Sequence, residues 1–149
     1  MNYQDKIKWC LNKANKGLKN INPDIKNAKK HLEVAAYNIE TADYLKKGGF
    51  TRWVAPTLFY SVYHSFLAVL MKEGYLTENQ DCTFAFIGKM IEEGNLALEM
   101  NKLETIMSYN PEEGLRGFRE KYQYGIEMTA KTSLIEEMGT LAKEILEII

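Results

Sequence analysis

The most informative pattern in the chain is the run from Trp53 to Met71, which contains no charged side chain. Its length is close to the ~18 residues that a helix needs to cross a bilayer. Polar groups recur through the run, however, and a bilayer would leave most of them without hydrogen-bond partners. We therefore predict a helix buried in the core of an all-helical protein, with a membrane helix as the less favoured alternative. The residues that break the apolar character of the run are Pro56, Thr57, Tyr60, Ser61, Tyr63, His64 and Ser65.

Helical spacing predicts two helices before this run. The first has apolar positions four and three residues apart and ends near Gly17. The second begins at Asn22-Pro23-Asp24, an order typical of an N-cap, a first-turn proline and an acidic second position. It ends at two glycines, and alanines on one face indicate close approach of another helix. The two stripes are Ile7, Leu11, Ala14, Leu18 and Ala28, Leu32, Ala35, Ile39, Ala42.

Similar signals predict the remaining helices. Thr51 is expected to cap the uncharged helix, with Pro56 delaying or kinking its start. Further helices are predicted from about Asp81 to Gly94, from about Leu96, from Asn110-Pro111, and from Ser133, where Glu136 would complete a capping box. No segment is a credible β-strand or repeat. The pattern thus predicts an all-α protein.

Composition and charge narrow the functional classes. A chain of 149 residues that is 46% hydrophobic and 26% charged is typical of one soluble domain. The N-terminus has no apolar stretch of the signal-peptide type, so we expect a cytoplasmic protein. Cys10 and Cys82 lack any metal-binding or redox spacing and are predicted to be reduced, with a disulfide between them as the alternative.

Residues 1–30 carry eight lysines against two aspartates, whereas the rest of the chain is acidic. We interpret this segment as an exposed helix face, or alternatively as a local surface for a polyanion.

Few residues carry candidate chemistry. No phosphate-binding glycine loop or metal-binding motif is present, so neither a metal nor a cofactor is expected. His31 is predicted to lie on the surface. His64 shares one helix face with Thr57, Ser61 and Ala68, and is predicted to be either a hydrogen-bonded core residue or a groove-lining group that titrates near neutral pH.

A second cluster lies in the sequence LRGFREKYQYG, residues 115–125. Arg116, Arg119 and Gln123 share a face opposite Leu115, Phe118 and Tyr122. Two arginines about one turn apart suit a phosphate group, and ordinary surface ion pairs with nearby glutamates are the alternative.

Four segments of the chain carry a family resemblance: the central YSVYHSFLAVLMKEG, the preceding HLEVAAYNIETADYLKKGGFTRW, the following DCTFAFIGKMIEEG and the later REKYQYG. Taken together, they resemble the HEPN family. These are small helical domains named for nucleotide binding in higher eukaryotes and prokaryotes. The resemblance covers about residues 24–149, and the segment KIKWCLNKANKGLKNINP resembles an extension found in prokaryotic, particularly archaeal, members. We accordingly divide the chain into an N-terminal helical extension, 1–20, and a HEPN-like bundle, 21–149.

The resemblance implies an antiparallel up-and-down bundle of about five to six helices that forms a homodimer, with a nucleotide- or RNA-binding groove near the dimer interface. It also implies a possible small nucleotidyltransferase partner in a toxin–antitoxin-like system. Active toxins of the family cleave RNA with an arginine followed four to six residues later by histidine. Here Arg119 fits the arginine position, but Tyr124 stands where histidine would be expected. A phenol, with an ordinary pKa of about 10, is a poor general base.

The sequence therefore predicts a binding module with a degenerate ribonuclease motif and no membrane association. The alternatives are an active metal-independent endoribonuclease and a partner that binds only protein. Because Arg119 and Tyr124 lie about 140° apart on a straight helix, we expect a bend or a second copy to bring them together. In an active enzyme, Arg119, Tyr124 and His64 would be catalytic. The predicted binding groove comprises Tyr60, His64, Arg116, Arg119, Gln123 and Tyr124.

Overall fold

The computed structural model describes residues 2–149 and shows a mostly helical protein. The described part contains seven α-helices and one small two-stranded sheet, which confirms the all-α class. The elements are α1 (Tyr3–Leu11), β1 (Leu18–Asn20), α2 (Ile25–Lys47), α3 (Val54–Glu73), β2 (Tyr75–Thr77), α4 (Gln80–Glu92), α5 (Met100–Met107), α6 (Leu115–Tyr124) and α7 (Thr132–Ile148).

The uncharged run forms α3, the central helix, which packs against α2, α4, α6 and α7. Thr51–Glu73 is long and apolar enough to cross a membrane, but 67% of its most apolar window is buried inside the protein. This agrees with the prediction of a core helix. A 3₁₀ turn at Thr51–Trp53 precedes α3, so Pro56 falls in the first turn, where proline is tolerated.

The helices α2 and α3 form a hairpin that is closed at both ends. The Gly48–Gly49 turn joins them at one end, and Gly49 has a positive φ of 81° that favours glycine. At the other end, the amide of Asp24 donates to the carbonyl of Met71 over 2.9 Å. Between the two ends, the Ser61 hydroxyl donates to the Ala35 carbonyl over 2.8 Å. The small-residue face of α2 therefore permits the close approach that the sequence predicted.

The two strands were not expected. β1 and β2 pair antiparallel, with Leu18 opposite Thr77 and Asn20 opposite Tyr75. Leu18 thus belongs to a strand, and the first helix already ends at Leu11, where Asn12 caps a following 3₁₀ turn. The prediction of a helix through Leu18 was wrong because a three-residue strand carries no period that distinguishes it from a helix end.

Several predicted helix starts also differ. The N-cap of α3 is Trp53 and not Thr51, whose hydroxyl accepts from the Ala130 amide. Asp24, not Asn22, is the N-cap of α2, and its carboxylate accepts from the Asn27 amide. Residues 111–113 form a turn, so α6 begins at Leu115 after Gly114. The N-cap of α7 is Lys131, without a side-chain cap bond, so the capping box expected at Ser133 does not form.

The cysteines correct another prediction. Cys10 and Cys82 form a disulfide that joins α1 to α4, and both residues are fully buried. Gly17 packs directly against it, since a Cβ at this position would lie 2.6 Å from the Cys82 sulfur. The Tyr3 ring also packs closely against Gly88 of α4. The N-terminal segment is therefore fixed to the bundle by a covalent bond, by packing and by the β1–β2 pairing.

Candidate functional site

The position of α6 is fixed by glycines at its start. The Gly117 amide donates to the Ser108 carbonyl over 2.9 Å. A side chain on Gly114 or Gly117 would collide with the backbone of residues 108–110, so both glycines permit a backbone-to-backbone approach. This docking turns the arginine-bearing face of α6 toward α3 and α4.

Arg116 is occupied by contacts within the protein. Its Nε donates to the Met107 carbonyl over 2.9 Å, and its Nη1 donates to the Asp81 carboxylate over 2.8 Å. The guanidinium lies between the rings of Phe84 and Tyr109, at 4.8 and 4.2 Å from their centroids, and the residue is only 4% exposed. Arg116 thus has a structural role, because its contacts connect α6 to α4 and to the end of α5.

Arg119 has weaker partners. It is 5% exposed, and its guanidinium carbon lies 4.5 Å from the centroid of the Phe59 ring. Nη1 contacts the Tyr60 hydroxyl at 3.3 Å and the Gln123 side-chain oxygen at 3.4 Å, and Nη2 lies 3.6 Å from a Glu120 oxygen. The buried Nε has no hydrogen-bond partner within residues 2–149. A guanidinium has five N–H donors, so Arg119 retains unused capacity to donate hydrogen bonds.

The Tyr124 ring lies near the Arg119 guanidinium of the same chain. The guanidinium carbon lies 5.8 Å from the centroid of the Tyr124 ring, and a similar 5.8 Å from that of Tyr60. The Arg119 guanidinium thus reaches the Tyr124 ring within one chain, and this contact needs no second copy. Gly125 follows in an extended conformation and ends the helix. The Tyr124 side chain is 71% exposed and is available to a ligand.

His64 and His31 form a pair. Their Nδ1 atoms are 2.9 Å apart, so one ring donates a hydrogen bond to the other, and the rings stack with centroids 5.1 Å apart. Burial lowers the pKa of both imidazoles below the usual value, and the charge of His31 lowers the pKa of His64 further. His64 has the expected polar partner and is half-buried. The prediction that His31 lies free on the surface was wrong.

The predicted groove residues therefore fall into three groups. Arg119 brings together Tyr60, Gln123 and Tyr124. His64 is four residues from Tyr60 on α3, but its hydrogen bond is to His31. Arg116 has other partners, and the rings of Phe84 and Phe59 lie between it and the first group.

The sequence analysis missed Phe59 and placed His31 wrongly. Phe59 supports Arg119, but nothing distinguishes it from the other apolar residues of α3. His31 did carry a signal, because it lies three residues after Ala28 and four before Ala35, on the face of α2 that was predicted to approach another helix.

The basic N-terminal segment was predicted to form one exposed helix face, but it does not. Its eight lysines are distributed over α1, the 3₁₀ turn, β1, α2 and the connecting residues. None makes a salt bridge in the described part of the chain. Lys13, Lys16 and Lys19 line a surface cavity of about 460 Å³ together with Glu78. This cavity is separate from the Arg119 group, which shares none of its lining residues.

A scan against protein-family models matched none, and a search of curated proteins found no similar sequence.

Proposed function

We propose that the protein is a HEPN-like nucleotide- or RNA-binding module in which Arg119 binds a phosphate group. The observation that carries this proposal is the buried Arg119, whose contacts of 3.3 to 3.6 Å leave its guanidinium incompletely hydrogen-bonded. Burial strengthens its attraction for an anion because water screens the charge less there. A phosphate oxygen would supply the acceptors that the protein does not.

The surroundings suit a nucleotide better than a free inorganic anion. Tyr60 and Tyr124 both lie beside the guanidinium, and Tyr124 is exposed. Aromatic rings next to a cation allow a base to stack while its phosphate binds the arginine. Gln123 adds an amide that can donate or accept hydrogen bonds.

A second candidate is an endoribonuclease, and the proximity of Arg119 and Tyr124 within one chain favours it. We place it second because a tyrosine occupies the position at which the family's active toxins carry histidine. His64 does not replace that histidine at Arg119, since its polar contact is with His31 of α2 and not with the Arg119 group.

The proposed module is a cytoplasmic homodimer. An exposed apolar patch, formed by Phe50, Trp53, Ile126 and Met128, lies next to Tyr124 and so close to the Arg119 group. Arg52 binds the carbonyls of Gly125 and Glu127 over 2.6 and 2.9 Å, which holds the two segments of the patch together. An exposed apolar patch suits a two-fold contact, in which the same patch of a second copy covers it. Pairing with a small nucleotidyltransferase in a toxin–antitoxin-like system, and the up-and-down topology, are supported only by the sequence resemblance.

The test is calorimetric titration of the purified protein with ATP and with short single-stranded RNAs, over a series of salt concentrations. We expect binding that weakens as salt rises. Arg119→Ala should weaken it by about 10- to 100-fold, the equivalent of the ~1.5–3 kcal/mol of a hydrogen bond to a charged group. Lys121→Ala is the matched control, because it removes a cation from the same helix without touching Arg119.

Circular dichroism and thermal unfolding must show that Arg119→Ala is folded. Arg119→Lys provides a second variant, which keeps the charge but loses the planar fork of donors. Equal affinity of wild type and a folded Arg119→Ala protein would refute the proposed site. The absence of any binding by the wild type would favour the protein-only role.

A further inference from the structure

We propose that His31 and His64 form a two-imidazole site for a divalent ion of the zinc and copper class. The site is independent of the proposed function, because neither histidine contacts Arg119. The two Nδ1 atoms are 2.9 Å apart and come from different helices, α2 and α3. The Nε2 atoms have no hydrogen-bond partner in the described part of the chain, so the only polar contact of each ring is with the other.

The separation of the two nitrogens is close to that of two ligands on one ion. Zinc binds histidine nitrogen at about 2.0–2.1 Å, and two such ligands at a tetrahedral angle are about 3.3 Å apart. A small rotation of the rings would therefore exchange the hydrogen bond for a shared ion. Imidazole nitrogen is a preferred ligand of zinc, copper and nickel.

The helices hold the histidines in this arrangement. The bond from Ser61 to the Ala35 carbonyl lies about one turn from both histidines and fixes the register of α2 against α3. The turn at Gly48–Gly49 and the bond from Asp24 to Met71 close the hairpin at its two ends. The two ligands are thus preorganised by packing that does not depend on the ion.

The site has only two protein ligands, because no group of three or more histidine, cysteine or acidic side chains suitable for a metal occurs within residues 2–149. Both rings are half-buried, so water can occupy the remaining coordination positions. Because the protein supplies only two ligands, the affinity is expected to be moderate. Open coordination positions are typical of sites that receive a further ligand.

The composition of the chain makes the experiment selective. These are the only two histidines in the sequence, and the only two cysteines form a disulfide. The oxidised protein therefore contains no other imidazole or thiol ligand. Calorimetric titration of the chelator-treated, oxidised full chain with zinc chloride at neutral pH should show one ion bound per chain.

Single substitutions His31→Gln and His64→Gln should each weaken zinc binding by more than ~100-fold. Loss of a residue that only hydrogen-bonds to a metal ligand costs about 10- to 100-fold. Glutamine retains hydrogen-bonding capacity and so protects the fold. Lys30→Gln is the control and should retain zinc binding. Long-range ¹H–¹⁵N spectra of the wild type should show zinc-dependent shifts at both Nδ1 atoms. No binding by the wild type, binding that either glutamine variant retains, or unchanged Nδ1 resonances would overturn the proposal.

Discussion

Arg116 and Arg119 show how the same residue type acquires different roles about one turn apart. Both are buried beside aromatic rings. Arg116 faces the Asp81 carboxylate and the Met107 carbonyl at short distances, whereas Arg119 faces a phenol and an amide at longer ones. Helical spacing places both arginines on one face. Asp81, Met107 and Tyr60 lie in other elements of the chain, so spacing alone could not separate the structural arginine from the candidate ligand-binding one.

The identity of residue 124 leads to a prediction about catalysis. Loss of a general base typically costs about 10²- to 10⁴-fold in rate, whereas retention of Arg119 preserves attraction for phosphate. We expect the protein to bind RNA but to cleave single-stranded RNA very slowly when chelator is present. Gel analysis of labelled RNA measures this directly. Rapid cleavage that Arg119→Ala or Tyr124→Phe abolishes would show instead that Tyr124 serves a working active site.

Tyr63 gives a prediction about alkaline pH. Its hydroxyl lies 3.1 Å from the Thr83 hydroxyl, and burial raises the pKa of the phenol above the ordinary 10.0. The folded state thus favours the neutral phenol. This stabilisation is complete below about pH 10 and is lost as the pH rises through the folded-state pKa.

At pH 8, Tyr63→Phe should lower the free energy of unfolding by ~1 kcal/mol through the lost hydrogen bond. Denaturant titrations at several pH values should show this difference shrinking above about pH 10. A difference that stays constant with pH would mean that the phenol ionises equally easily in both states.

At the scale of the elements, hydrophobic periodicity predicted the long helices well. The predictions were correct for the central α3, for the alanine face of α2 and for the end of α2 at Gly48–Gly49, because a buried helix needs a continuous apolar pattern. The strands and the start of α6 were not predicted, and the disulfide was only the less favoured alternative. Each depends on contacts between distant segments: Leu18 with Thr77, Cys10 with Cys82, and Gly117 with the backbone near Tyr109.

The disulfide between α1 and α4 leads to a prediction about stability. It links residues 72 positions apart. Closing a loop of that length restricts the unfolded chain enough to stabilise the folded state by about 4 kcal/mol. The Cys10→Ala/Cys82→Ala variant should lose that amount in denaturant unfolding, and reductant should reproduce the loss in the wild type. Reductant should leave the variant unchanged. A wild type whose thiols are shown to be reduced, but whose unfolding midpoint has not moved, would contradict this prediction.

At the scale of the whole molecule, the exposed surface near the candidate site is unusually apolar. Ile126 is 93% exposed and Met128 74% exposed, beside Phe50 and Trp53. Because the patch lies next to Tyr124 of the Arg119 group, a second copy that covers the patch would form one side of the proposed binding site. Burial on dimerisation would also remove these side chains from water.

We therefore expect light scattering at micromolar concentration to show a species of twice the monomer mass. Ile126→Glu should shift it toward the monomer, because a carboxylate would then be buried without a partner. Ile25→Glu, which alters an exposed apolar residue outside the patch, should leave the dimer intact. A monomeric wild type would remove the support for a groove at a dimer interface.

The disulfide also changes how the molecule is connected. It closes residues 10–82 into a covalent ring that contains α2 and α3, while α5, α6 and α7 lie outside that ring. The Gly48–Gly49 turn lies on the ring and is exposed. A protease that cut this turn would open the ring without dividing the molecule, since the pieces would stay joined through Cys10 and Cys82. Both histidines would also remain on one covalently connected unit.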